Sequence, residues 1–312
     1  KFTYNAGLRI EQMNRDLMLK DRANTIDDTR NYAFTKAYPS ASINYELNDN
    51  TSAKLAYSKR VARTTTFKMN PFPEREHAET LEQGDPDLRP EFIDLIELGI
   101  EKKLSDYNSI FATTYYRNTK NVVNRVNTVY SDNILNRIYS NVGNAKTFGV
   151  TFGTQLKLSA KSDAFIGGNV YHYDLNGSFD NSPVQTKTTV YSFNANANYH
   201  FWDNAAVQFS INYISERVTA QGEDSRYYTP NLSIQKSFLD DKLKATLQWL
   251  NIDMGLLETN EQRITTWRDN EFYTTTNYIY EVDMISLNLS YIFQNGKNRS
   301  NFIDSEFGKR EF

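Results

Sequence analysis

Residues 190–214 read VYSFNANANYHFWDNAAVQFSINYI, and their alternation decides the fold. Tyr191, Phe193, Ala195, Ala197, Tyr199 and Phe201 are apolar at every second position, while Ser192, Asn194, Asn196, Asn198 and His200 stand between them. The pattern restarts after Asp203 and Asn204, with Val207, Phe209, Ile211 and Tyr213 set against Gln208, Ser210 and Asn212. Period two sends successive side chains to opposite faces, so the stretch reads as two antiparallel strands joined by a tight turn. The first strand runs about eleven residues, the length that crosses a bilayer at a tilt. Rings fall near the ends of its apolar face and small residues in the middle, as headgroup-level girdles require. The expectation is a membrane-crossing hairpin whose polar face lines an aqueous interior.

Composition narrows the alternatives. The chain of 312 residues is 39% hydrophobic and 14% aromatic, with a net charge of -3. No run approaches the roughly 18 apolar residues of a membrane-spanning helix. A mean hydropathy of -0.65 still accommodates a membrane barrel, because half of each strand and all of each long loop are polar. With 21 Tyr, 19 Phe and 7 Pro, strands are favoured over disorder. The near-neutral charge gives no electrostatic case for nucleic acid. The absence of Cys removes disulfide and thiolate chemistry. Lys1 and Phe2 already read as strand with no leader pattern, so the chain is expected to be processed or a piece of something longer.

Outward from the opening hairpin, alternation marks about twelve strands over residues 1–294. Tight turns are expected after Asn48, Leu104, Ser159, Trp202 and Leu239. Long connections are expected at about 13–37, 64–91, 118–146, 175–187, 217–227 and 253–274. That asymmetry is the mark of an antiparallel up-and-down transmembrane β-barrel, with short periplasmic turns and long extracellular loops. It places the polar tail, 295–312, in the periplasm. The lipid-facing aromatic girdles are then Tyr45, Tyr191, Tyr199, Phe201, Trp202, Tyr213, Tyr291 and Phe293. Soluble sandwiches and propellers also alternate, but with shorter strands and no systematic turn asymmetry.

Several stretches carry a resemblance. AYSKRVAR at 56–63, NPFP at 70–73 and GDPDLRPE at 84–91 resemble the barrel of TonB-dependent outer-membrane receptors, which carry a Y-S-x-x-x-R-P … G-N-P-x-L-x-P-E run between two strands. ELGIE at 97–101 is similar to the segment that follows it there, and NVGNAKTFGV at 141–150 to the family's N-x-G re-entry strand. The likeness is closest to the Bacteroidetes outer-membrane β-barrel subgroup, which the ending SYIF at 290–293 also resembles. Asp85, Thr64 and Thr151 depart from the usual Asn, Pro and Glu. The resemblance implies a barrel of about 22 strands, of which this chain would be the C-terminal part, with a plug and TonB-box upstream. A complete barrel of twelve strands stays open on arithmetic alone. Physically, Pro86 and Pro90 lack amide donors and force extended backbone before them, so pairing should resume near Glu91.

No catalytic constellation is present. His77, His172 and His200 share no metal-ligand spacing, no Ser–His or phosphate-loop pattern occurs, and Glu97 and Glu101 read as charged lumen residues. The chain is read as a non-enzyme without cofactor. Ligand binding is placed on the long loops, at Tyr130, Arg137 and Tyr139 in one and at Arg263, Trp267 and Arg268 in another, since aromatic and Arg side chains are the usual anchors. Two functions follow: a receptor barrel binding its ligand through extracellular loops for energised uptake, or a plug-less scaffold or accessory subunit of an outer-membrane complex. The partners implied are outer-membrane lipid, the barrel-assembly machinery through the C-terminal strand, TonB through an upstream plug, and surface lipoproteins or other outer-membrane subunits.

Overall fold

The computed structural model describes residues 1–21, 27–77, 79–131, 134–255 and 261–293; the expected tail at 295–312 lies outside them. The chain begins with β1 (Phe2–Lys20), β2 (Asp27–Asn48) and β3 (Thr51–Ala62). A helical turn α1 (Thr66–Met69) and the short β4 (Glu74–His77) and β5 (Thr80–Gln83) follow. Then come β6 (Glu91–Lys103), β7 (Ser109–Ser131), β8 (Ile134–Ser159), β9 (Ser162–Phe179), β10 (Ser182–Trp202) and β11 (Ala205–Ile214). The remainder is β12 (Arg217–Thr219), β13 (Gly222–Asp224), β14 (Tyr227–Phe238), β15 (Leu243–Leu250), β16 (Glu261–Arg268), β17 (Phe272–Ile279) and β18 (Met284–Tyr291).

Twelve strands form one up-and-down meander in the order β1-β2-β3-β6-β7-β8-β9-β10-β11-β14-β15-β18. All its neighbours are antiparallel. Among the described residues β1 and β18 are its two edges and do not pair with each other. The five tight turns fall where the alternation placed them, all along one edge of the sheet. Pairing resumes after the Pro-rich segment at Glu91.

Register fixes the faces. One rung runs Tyr4–Ile43–Leu55–Leu98–Thr114–Val150–Val170–Tyr191. It starts at the third residue of β1 and ends at the tenth of β10, which is the stagger of a sheet curling into a barrel. A neighbouring rung, Asn44–Lys54–Gly99–Thr113–Thr151–Asn169–Ser192, is polar and points to the other side. The apolar side is the exposed one: Leu98 is 52% exposed, Tyr191 46% and Leu287 63%. An apolar face that exposed around the whole meander is solvated by lipid rather than by a core.

The strands outrun this band. β7, β8 and β10 hold 23, 26 and 21 residues, against the roughly 9–11 that a bilayer requires. Beyond the band the alternation changes phase. On β10 the outward residues from Tyr191 to Tyr199 are apolar, whereas above them Val184, Thr186 and Val190 are buried on the inner side. On β1 the outward Leu8 and Ile10 give way to Gln12, Asn14 and Asp16, and Leu19 is buried inside. Val122, Val126, Val142, Ala145, Leu175 and Val184 form a true core there, with Tyr173, Phe179 and Ala220 against it.

The long connections therefore need correcting. Most of 13–37, and nearly all of 118–146 and 175–187, are hairpin strands rather than loops. The last of these hairpins ends in a two-residue turn, Asp180 and Asn181, both with positive φ, the form that matches strand twist. The stretch 64–91 contains α1, β4 and β5, 217–227 contains β12 and β13, and 253–274 contains β16 and the start of β17. In 118–146 the period of two is broken by bulges around Thr119, Val122 and Val123, so the alternation does not read through. At the same place Gly143 faces Gly177, and a Cβ on Gly177 would lie 1.8 Å from the Val142 carbonyl oxygen. Only glycines allow that approach.

A cap over the inner face as candidate ligand site

Three connections fold inward and join. The β12–β13 hairpin lies against the inner side of β7 and β10: the Asn127 amide donates to Gln221 Oε1 at 2.6 Å, Gln221 Nε2 donates to the Asn127 carbonyl at 2.8 Å, and Thr186 Oγ1 donates to the Thr219 carbonyl at 2.8 Å. β13 continues into a second sheet, β12-β13-β16-β17, which Asn127 Nδ2 also reaches by donating to Thr266 Oγ1 at 2.7 Å. From the other side β5 pairs with β8 in parallel, and Asn136 Nδ2 donates to Gln83 Oε1 at 2.6 Å.

The Pro-rich segment is pinned from below by Arg15 on β1. Its guanidinium donates to the carbonyls of Leu88 at 2.8 Å and Pro86 at 3.3 Å. Leu88 is fully buried. Gly84 donates to the Asn70 carbonyl at 2.6 Å, and a Cβ on it would meet Asn70 N and Lys68 O at 2.5 Å. Burial pushes the neighbouring Asp85 carboxyl up, against the backbone amide of Asp87, which favours its charge.

Two of the predicted anchors meet in the cap. Tyr139 Oη donates to Glu82 Oε1 at 2.9 Å, and Arg125 Nη1 lies 4.0 Å from the same oxygen. The Tyr278 side chain hydrogen-bonds Arg125. The four residues tie β5, β7, β8 and β17 together. Burial, and then the bond to Glu82, raise the Tyr139 phenol above its ordinary value. Burial of Arg125 favours loss of its proton, but Tyr139, Glu82 and Tyr278 outweigh it and its value rises. Arg137 is buried beside them and reaches Thr276 Oγ1 at 3.5 Å.

The second pair lines an open groove of about 530 Å³, with Glu223, Glu271 and Tyr273. Trp267 and Tyr273 are cross-strand partners with ring centroids 6.4 Å apart and planes at 22°. Arg268 is held by Asp180 and Glu271, each at 3.1 Å, and its guanidinium lies over the Phe179 ring. Burial opposes its charge, but the two carboxylates prevail and raise its value. Tyr130 and Arg263 are not gathered in: Tyr130 is 59% exposed at the hairpin tip, and the contacts of Arg263 with Ser225 run through its backbone. Glu82, Arg125 and Tyr278 escaped the sequence reading, since no local spacing shows that four distant elements will meet.

The predicted girdle residues lie on the exposed apolar face at two levels. At the turn edge Phe2 stacks on Tyr45 at 4.3 Å, Phe201 packs on Trp202 at 4.8 Å, Lys236 lies over Trp202, and Tyr291 meets Phe293 edge-on. Tyr199, 49% exposed, stands just above. At the opposite border Tyr191, Phe193 and Tyr213 stack together. Among the described residues no group of three or more His, Asp or Glu is placed to hold a metal.

The fold is shared with solved receptors. The siderophore receptor PiuA from Acinetobacter baumannii matches with a TM-score of 0.62 at 12% identity, over 93% of this chain and 40% of that one. The ferric yersiniabactin uptake receptor FyuA from Yersinia pestis matches at 0.59 and 13%, over 89% and 41%. The copper transporter OprC matches at 0.58 and 13%, over 80% and 39%. The chain thus spans about two fifths of the length of these structures, and at such identity the likeness is one of fold. A comparison with curated protein sequences gave no match. Residues 1–291 match the outer membrane protein beta-barrel family, as the exposed apolar band and the Pro-rich and N-x-G stretches foretell. The chain belongs to that family, and its place is the cell outer membrane.

Proposed function

We propose that this chain is the barrel portion of an outer-membrane uptake receptor, with its hairpin edge outside the cell, its tight turns in the periplasm and its cap receiving the ligand. The observation that carries the reading is the cap itself: three connections fold over the polar inner wall and present Trp267, Tyr273 and Arg268 together. A scaffold barrel has no need of such a lid. The edges β1 and β18 would be paired by further strands, because unsatisfied backbone in lipid costs several kcal/mol per group. A barrel of about 22 strands, a plug reaching TonB, and assembly through the C-terminal strand complete the proposal.

The groove also narrows the ligand. Arg268 is already neutralised by Asp180 and Glu271, and Glu223 and Asp269 leave the rim acidic. An anionic ferric chelate is disfavoured there, whereas a neutral hydroxylated ring can stack on Trp267 and donate to the carboxylates. The test is tryptophan fluorescence of the full-length protein titrated with neutral oligosaccharides and with ferric chelates. Quenching by an oligosaccharide, lost in Trp267→Ala, is expected. Quenching by ferric chelates alone would overturn the ligand class. Binding of neither, together with stable co-purification of another outer-membrane subunit, would favour the scaffold.

A further inference from the structure

A separate depression, of about 630 Å³, lies on the inner wall of β1–β3. Its floor is a rung of small residues: Gly7 pairs with Ser40, and Ser40 with Ser58. A Cβ on Gly7 would already stand 3.1 Å from Ser40 Oγ. Arg9 and Arg60 border this floor, together with Tyr38, the register partner of Arg9 on β2. The adjacent Lys59 sends its ammonium to the outer side, 4.0 Å from Asp94. Arg63 joins the group through Glu11, which bonds the Arg63 guanidinium and lies 2.9 Å from Arg9 Nε. One carboxylate therefore serves two arginines. Arg60 Nε donates to Ser58 Oγ at 3.2 Å and enters no ion pair among the described residues. Three guanidiniums against one carboxylate leave an excess of two positive charges. Beside them Tyr38 is 3% exposed under the Arg9 guanidinium, and its hydroxyl has no hydrogen-bond partner among the described residues.

Like charges held close on one wall repel, and a buried hydroxyl costs free energy until it finds an acceptor. A single oxyanion answers both. The planar fork of Arg matches a carboxylate bidentately, and the volume is that of a small-molecule pocket rather than of one side chain. The Ser40 and Ser58 hydroxyls and the flat floor over Gly7 suit a hydroxylated ring next to the anion. We propose that this depression is an oxyanion subsite, and that its ligand is the carboxylate of one uronic acid in an otherwise neutral oligosaccharide. Arg9 and Arg60 hold the carboxylate, Tyr38 donates to it, and the two serines bond the ring that carries it. The proposal rests on the cap reading for the rest of the ligand: neutral rings suit the acidic rim at Trp267, and the acidic ring suits the wall.

The test is calorimetric titration of the full-length protein with a neutral oligosaccharide bearing one glucuronic acid, with the same sugar after reduction of its carboxyl, and with inorganic phosphate. The acid is expected to bind several-fold more tightly than the reduced sugar, with a margin that shrinks as salt rises. Arg9→Gln with Arg60→Gln should abolish the margin, and Arg60→Lys alone should keep part of it. Tyr38→Phe should reduce the margin while leaving stability in urea unchanged or higher, because it removes a buried hydroxyl that has no partner. Equal affinity for the acid and the reduced sugar overturns the proposal. Binding of phosphate alone, lost in the double variant, overturns the sugar and leaves an oxyanion site. Binding of none of the three, with a stability loss in Arg60→Gln, overturns the proposal in favour of a carboxylate from the protein's own upstream segment. Trp267 emission separates this site from the cap. Quenching by both sugars with no difference in affinity removes the wall site alone. Binding of the acid through Arg9 and Arg60 with no quenching removes the cap reading alone.

Discussion

The same strands live in two solvents, and β10 shows the change within one element. Below its midpoint Tyr191, Phe193 and Tyr199 face outward and are 46%, 44% and 49% exposed. Above it Val184 and Val190 face inward and are 9% and 1% exposed. The lower half turns its apolar side away from the interior because lipid solvates that side; the upper half turns it inward because water is outside. Polarity along a strand is therefore set by the medium at each level, and the position of the phase change locates the membrane border. On β9 it falls between the exposed Val170 and the buried Leu175, and on β2 between the exposed Ile43 and the buried Tyr38. The borders on neighbouring strands follow the stagger of the register.

The comparison can be broken first with a truncation. Leu175→Ala opens a cavity in a closed core, and cores of this kind lose about 2–5 kcal/mol for such a change. The effect should be confined to the cap and appear as faster amide exchange in the upper parts of β7–β10. Leu287→Ala, at a position 63% exposed in the band, leaves a space that lipid fills and should cost clearly less in urea titrations of the vesicle-folded barrel. Equal costs would mean that the band is not lipid-solvated.

A charge probes the same border from outside. Ala195→Arg, midway along the apolar face of β10, should destabilise by about 2–4 kcal/mol in the same titration. Gln185→Arg lies on the same strand, exposed and beyond the border, where surface changes stay within about 0.5 kcal/mol. If both substitutions were equally mild, the phase change at Val190 and Tyr191 would not mark a membrane surface.

Much of this was legible in the sequence, and the limits have a physical origin. The band was readable because lipid demands strict alternation over about ten residues, so residues 190–214 and the five turn positions suffice. The upper hairpins were not, because their alternation is out of phase with the band and interrupted by bulges at Thr119 and Val122. The outward positions there, such as Asn14 and Asp16 on β1, Asp174 and Asn176 on β9 and Gln185 and Lys187 on β10, hold residue types that also make loops. The site was half readable. Trp267, Arg268, Arg137 and Tyr139 stand out by residue type, yet their grouping into two places depends on Glu82, Arg125 and Asp180, whose positions follow from long-range pairing alone.

The smallest expected effect distinguishes cap from band by pH. Tyr139 lies in the cap, beyond the membrane border, and its phenol is raised by burial and by Glu82. Tyr173, packed against the cap core, is raised by burial and then by Glu91. A raised folded value means that the folded cap holds these protons more tightly than the unfolded chain does. Their contribution is therefore complete below the ordinary tyrosine value of about 10 and is lost as pH climbs through the higher folded values. Alkaline titration should loosen the cap, read as a change in Trp267 emission, while the lipid-facing Trp249 stays constant. Isolating the two requires Trp267-only and Trp249-only forms. Tyr139→Phe should remove part of the alkaline transition without moving it to lower pH, and adding Tyr173→Phe should remove most of the remainder. A transition of equal size at Trp249 would show that the whole sheet, rather than the cap, responds to pH.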